Sequence, residues 1–170
     1  MSLDPNVSAF LRTIVFAEGT SRDPFGKVLN PYRVCYGYKH SIEDLSDHPA
    51  VTGEWKGERL PPAMCKRAGY SSGICYSSAA GAYQIIRPTW VVVKKRLGLP
   101  DFSPDSQDAA AVELIRSRGA LDDVIQGRFD AAVKKCSAEW ASLPGNLAGQ
   151  PQRRRDDLLT AYRDAGGSVA

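Results

Sequence analysis

Asp4-Pro5-Asn6-Val7-Ser8-Ala9-Phe10-Leu11-Arg12-Thr13-Ile14-Val15-Phe16-Ala17-Glu18-Gly19 carries a complete helix signal near the start of the chain. Asp4 can cap it and Pro5 suits the first helical position. Val7, Phe10, Leu11, Ile14 and Val15 then recur at helical spacing, and Gly19 stops it. Carried forward, the apolar stripe lands on Glu18, so that carboxylate shares the apolar face. It also sits in the last turn, where the helix dipole disfavours negative charge. Dipole and partial desolvation both push a carboxyl pKa upward. A carboxyl that keeps its proton near neutral pH suits a general acid, such as one protonating the leaving oxygen of a glycosidic bond. The plainer alternative is a Glu in water at a fraying helix end.

Outward from this helix the pattern changes and then returns. From about 21 to 79, Pro, Gly and Tyr are frequent, and Tyr32, Val34, Tyr36 and Tyr38 alternate with Arg33, Cys35, Gly37 and Lys39, predicting short strands or hairpins. Helices are predicted over Pro88–Leu97, closing at Gly98, and from Ser103-Pro104-Asp105 to Gly119, with a short one before Gly127. Phe129, Ala132, Val133, Cys136 and Trp140 form one helical stripe, and a last helix is expected from about Pro151 to Ala165, burying Leu158, Leu159 and Tyr162. Helix, β-rich excursion, then several helices describes an α+β, lysozyme-like architecture: mainly helical, with a small β-hairpin region forming one lip of a cleft.

The 170 residues are the size of one domain, and 43% hydrophobic with 24% charged residues is ordinary for a globular protein. Disordered and fibrous classes are excluded. No apolar run approaches the roughly 20 residues of a bilayer-spanning helix, and Met1 to Asn6 lacks the basic and apolar regions of a secretory signal. A net charge of +3 does not describe a dedicated nucleic-acid binder. Cys35, His40, Cys65 and Cys75 match no zinc-ligand spacing; a Cys65–Cys75 clasp on a surface hairpin is the better reading, with Cys136 as a small buried residue. No metal or cofactor is expected.

In Ser77-Ser78-Ala79-Ala80-Gly81-Ala82-Tyr83-Gln84, small residues would let backbone approach a ligand, Gln84 can donate and accept, and Tyr83 can pack on a sugar face. The alternative is a turn with Tyr83 in the core. Glu43, Asp44 and Asp47-His48-Pro49 could supply a second carboxylate or a base, or simply form a polar loop. Arg153-Arg154-Arg155 starts a helix against the favourable dipole sense and reads as a solvated face.

Together these segments resemble the lambda-type phage endolysins, a lysozyme-like family of lytic transglycosylases that cut peptidoglycan. The resemblance runs through Phe10-Leu11, Ala17-Glu18-Gly19-Thr20, Ser46-Asp47-His48-Pro49 and Ala80-Gly81-Ala82-Tyr83-Gln84. It continues in Leu97-Gly98-Leu99, Asp101-Phe102-Ser103-Pro104, Ser106-Gln107-Asp108-Ala109, Arg118-Gly119-Ala120-Leu121, Trp140-Ala141-Ser142-Leu143-Pro144-Gly145 and Ala165-Gly166-Gly167. Each piece is weak alone; their order across nearly the whole chain is specific.

The resemblance implies that Glu18 is the acid/base for cleavage between N-acetylmuramic acid and N-acetylglucosamine, leaving a 1,6-anhydro sugar. It implies contacts to glycan strands from Thr20, Tyr32, Asp47, His48, Ser78, Gly81, Tyr83, Gln84 and Gln150. It further implies a monomer made in the host cytoplasm and acting in the periplasm once a holin opens the inner membrane, without stable membrane insertion. A hydrolytic muramidase using Asp44 or Asp47, or a non-catalytic glycan-binding relative, would carry much of the same pattern. Two departures stand out: an apparent insertion at about 56–77 within a single domain of 1–170, and Ala148 where the family has Tyr. Tyr70 or Tyr76 from the insertion is a candidate replacement for that contact.

Overall fold

The first helix, α1 (Pro5–Glu18), forms as its caps dictate in the computed structural model, which describes residues 3–147, 149 and 151–170. Asp4 Oδ1 accepts from the N–H groups of Asn6 and Val7, and Gly19, at φ 71°, turns its own N–H back onto the carbonyls of Val15 and Phe16. The chain divides into two compact units: Met1–Gly19 with Asp108–Ala170, and Thr20–Gln107.

The first unit is helical. It holds α1, most of α5 (Pro104–Ser117), α6 (Leu121–Ile125), α7 (Phe129–Cys136) and α8 (Arg155–Asp164). α1 packs on α6 and α8, and Phe10 meets Phe129 and Tyr162 edge-on with ring centres 6.4 and 6.5 Å apart. Burying each such ring contributes roughly 2–3 kcal/mol. Trp140, expected on the α7 stripe, lies past the end of that helix and is buried nonetheless. α8 begins at Arg155 rather than near Pro151. The preceding chain is drawn out, because Arg153 N–H bonds Ser142 O at 2.8 Å and its guanidinium reaches Ala17 O, a geometry no helical turn would allow. Leu158 and Tyr162 are buried as expected, while Leu159 is half-buried.

The second unit corrects one expectation. The alternating tyrosines form two short 3-10 turns, Pro31–Arg33 and Tyr36–Tyr38, with strand-like pairing limited to single bridges from Val34 to Ser41 and Cys35 to Ala80 among the described residues. Pro31 and an Asn30 side chain that accepts from Tyr32 N–H start a turn, and Gly37 and Tyr38 take positive φ, so the segment cannot stay extended. Among the described residues the sheet is one antiparallel pair, β1 (Glu58–Arg59) with β2 (Tyr76–Ser77), in the register Glu58 to Ser77 and Arg59 to Tyr76. Between the strands runs α3 (Pro62–Arg67), and Cys65 is joined to Cys75 by a disulfide.

Cys35 and Cys136 are the free thiols, both buried, and burial pushes each up to about 12. Unfolding the unreduced protein should therefore expose two titratable thiols. Closing a ten-residue separation constrains the unfolded chain by about 2–3 kcal/mol, so reduction, or a Cys65→Ala/Cys75→Ala variant, is expected to lower Tm by roughly 5–10 °C in a thermal melt.

The remaining helices of this unit are α2 (Pro49–Thr52) and α4 (Arg87–Leu97), the latter closed by Gly98 in the left-handed conformation. Its core stacks Trp90 and His48 edge-on against Phe102, with centroids 4.7 and 5.0 Å away. Among the described residues, no helix is long and apolar enough to cross a membrane.

Candidate active site

Glu18 ends α1 in the first unit, half-buried, and Ser142 Oγ donates to its Oε1 at 2.6 Å. Burial raises its pKa from an ordinary 4.5 to about 7, against the opposing pull of the Ser142 hydrogen bond and the positive charge of Arg153. Desolvation thus outweighs both stabilising contacts, and near neutral pH the group is divided between acid and carboxylate. Such a group can give a proton and take one back.

Arg153 is fastened beside it. Its Nε donates to Ala17 O at 3.2 Å and its guanidinium lies 5.3 Å from the centre of the Phe16 ring. Sequence reasoning missed both residues. Ser142 stood inside a recognised segment with no role, and the arginine run was read as solvated. No local signal marked Arg153, which lies in the drawn-out chain ahead of α8 and meets Glu18 only through tertiary packing. Since Ser142 and Arg153 favour the charged form, Ser142→Ala and Arg153→Gln are each expected to raise the Glu18 pKa. For a reaction needing protonated Glu18, the fall of kcat/KM with rising pH then moves to higher pH in both variants. A pH–rate profile reads this directly, and a downward shift would contradict the assignment.

The small-residue segment lies in the second unit and folds as a tight turn. Gly81 at φ 77° has no room for a side chain: a Cβ there would run into the Gln107 amide and come within 3.0 Å of Phe102. Ala82 N–H donates to Gln107 Oε1, Thr20 Oγ1 donates to Ala82 O, and Ala80 and Ile85 exchange both backbone bonds across the turn. Gln84, also at positive φ, turns its Nε2 onto the carbonyls of Val34 and Gly81 at 3.1 and 3.0 Å. Tyr83 is buried at 2% exposure, edge-on to half-buried Tyr32, so its ring belongs to the core rather than to an open sugar-stacking face. Ser78 is half-buried and its Oγ accepts from Arg87 N–H.

Asp47 and His48 are structural in their contacts. Asp47 Oδ1 accepts from His48 N–H and Trp90 Nε1–H, and its Oδ2 accepts from Lys94 Nζ at 2.6 Å. Burial opposes its charge, but these bonds outweigh it and hold the carboxyl below the usual range. Fully buried His48 donates from Nε2 to Ile85 O and accepts at Nδ1 from Ala50 N–H, a pairing that selects the neutral ring. Desolvation, and secondarily the Arg87 charge, depress its pKa despite Asp47 and the Ile85 carbonyl. Thr20 is likewise buried, spending its hydroxyl inside the unit. Asp44 is exposed and accepts from Ser46 N–H, while Glu54 rather than Glu43 holds the neighbouring loop, accepting from the N–H groups of Glu43 and Asp44 and pairing with His40 at 2.5 Å. With Cys65 and Cys75 bonded to each other, the sequence's one candidate zinc grouping is dissolved, and no other metal-binding cluster occurs among the described residues. Gln150 and Ala148 lie outside the described residues.

The sequence profile of the Endolysin family matches residues 8–169. The chain is similar to the endolysin of Escherichia phage P2, 39% identical over 168 residues spanning 97% of this chain and 95% of that one. It is 37% identical to the endolysin of Escherichia phage lambda over 161 residues, covering 95% and 91% of the two chains. Among solved structures, bacteriophage lambda lysozyme complexed with a chitohexasaccharide superposes with a TM-score of 0.81 at 33% identity, covering 100% of this chain and 99% of the other. That correspondence makes the mainly helical fold with its two-stranded sheet lysozyme-like.

Proposed function

Because the chain belongs to the endolysin family, we propose that it cleaves peptidoglycan between N-acetylmuramic acid and N-acetylglucosamine, without water, for lysis of the host cell. Protonated Glu18 gives its proton to the bridging oxygen as the bond to muramic acid C1 breaks. The C6 hydroxyl oxygen of the same sugar then bonds to C1, and its proton returns to Glu18. Atoms balance without water, the product is a 1,6-anhydro sugar, and the acid is regenerated. The observation that carries this reading is the Glu18 carboxyl raised to about 7.

An internal nucleophile asks for no second carboxylate, in keeping with Asp47 being spent on Trp90, Lys94 and the His48 N–H. The chitohexasaccharide in the lambda lysozyme complex supports a glycan strand as ligand here too. Of the sequence candidates for contacting it, Tyr32, Ser78 and Gln84 keep solvent-accessible surface, whereas Thr20, His48, Gly81 and Tyr83 shape the framework behind them. The same reading has a monomer reaching the wall when a holin opens the inner membrane.

Mass spectrometry of muropeptides released from purified Gram-negative peptidoglycan tests it. Products one water lighter than hydrolytic muropeptides are expected; reducing-end products would show a hydrolase, and no products from the wild type would leave a glycan-binding relative.

A further inference from the structure

A second feature lies wholly within the second unit, in and beside residues 56–77. An open pocket of about 440 Å³ is lined by Ala50, Gly53, Lys56, Tyr76, Ser78, Arg87 and Pro88. Its lining holds two cations and no carboxylate. Lys56 and Arg87 are both exposed and neither side chain has an anionic partner among the described residues. Glu54, close in sequence, is already committed to His40 and two backbone N–H groups.

Tyr76 is 63% exposed, on a strand held at both sides. It is paired with Arg59 across the strand pair, and it follows directly on Cys75, which the disulfide ties to Cys65. Beneath the pair Gly57 is pressed so closely on β2 that a Cβ would sit 2.8 Å from Ser77 O. An exposed aromatic ring on a braced strand, beside two uncommitted cations, is a surface for a ligand with one apolar face and one negative charge.

We propose that this pocket is an auxiliary glycan subsite that takes a sugar bearing a carboxylate, its ring stacked on Tyr76 and its charge paired with Lys56 and Arg87. The proposal rests on peptidoglycan being the substrate. There the carboxylate comes either from the attached peptide or, once the peptide is removed, from the lactyl group of muramic acid.

Binding is measured by calorimetry in a Glu18→Gln background, where strands stay intact, against three ligands: peptide-bearing glycan strands, amidase-stripped strands and uncharged chitohexaose. Lys56→Gln/Arg87→Gln is expected to weaken binding of charged strands about tenfold and to leave chitohexaose unchanged. Loss confined to peptide-bearing strands assigns the charge to the peptide, and loss confined to stripped strands assigns it to the lactyl group. Tyr76→Ala, at an exposed position that spares folding, should weaken all three. Unchanged affinities, or an equal loss on chitohexaose in the charge variant, overturn the proposal. If those results come from a protein whose wild type still releases anhydro-muropeptides, only the pocket falls; a wild type that releases nothing overturns the reading of Glu18 instead.

Discussion

Glu18→Gln is expected to lower muropeptide release by roughly 10²- to 10⁴-fold, the range a positioned acid/base group supplies, while the protein stays folded. Gln keeps the size of the side chain and an oxygen that can accept from Ser142, so the contact at 2.6 Å survives and only the titrating proton is removed. The same substitution should stabilise the fold in a pH-dependent way. The folded pKa of about 7 lies above the unfolded value of 4.5, so the native state binds the proton more tightly. The native state therefore loses stability as pH rises from about 4.5 to about 7, and the loss is complete above that window.

A shift of that size corresponds to about 3 kcal/mol at most, and to about 2 kcal/mol once water still reaching the half-buried carboxyl is allowed for. Gln carries no such penalty. Urea unfolding should find the variant and the wild type alike at pH 4 and the variant more stable at pH 8. Retained activity would remove Glu18 from the chemistry, and equal stability at both pH values would remove the raised pKa.

Gln107→Leu should strongly destabilise the second unit. Its buried amide accepts from Ala82 N–H at 2.9 Å and donates to Phe102 O at 2.8 Å and Tyr32 O at 3.0 Å, joining the Gly81–Gln84 turn to the tyrosine-rich segment. Leucine fills much of the volume and leaves those three backbone groups without this partner. At about 1 kcal/mol or more for each, the cost is about 3–5 kcal/mol, or a Tm lowered by roughly 10 °C. Gln107→Glu keeps the acceptor for Ala82 but turns a buried carboxylate onto the Phe102 and Tyr32 carbonyls, so at neutral pH it should cost at least as much as the leucine change. A loss under about 1 kcal/mol for the leucine variant would show that the turn holds without the amide.

These two residues show how unevenly the sequence can be read. α1 was legible to the residue because its causes are local: a capping Asp, a Pro at the first position and a Gly that permits the left-handed turn. Gly98 and the Cys65–Cys75 pairing were legible for similar reasons of short range. The tyrosine alternation misled because one Pro and one Gly outweigh period-two patterning. The position of Glu18 on the apolar face could be derived from helix periodicity, but its partners could not. Ser142 and Arg153 reach it across more than 120 residues of sequence, through tertiary packing that no local pattern encodes. Gln107 is similar: within the sequence it is one polar residue near a helix start, and only the fold shows the turn it braces.

The first unit is assembled from Met1–Gly19 and Asp108–Ala170, and this has a consequence for timing. During synthesis the ribosome makes Glu18 early and Ser142 124 residues later, a delay of about 6–25 s at ordinary elongation rates. Until then Glu18 lacks the Ser142 hydroxyl and the Arg153 charge that favour its ionised form, while Thr20–Gln107, one continuous stretch, can already be complete. A nascent or truncated chain thus carries a Glu18 without the two contacts that balance its burial in the finished fold.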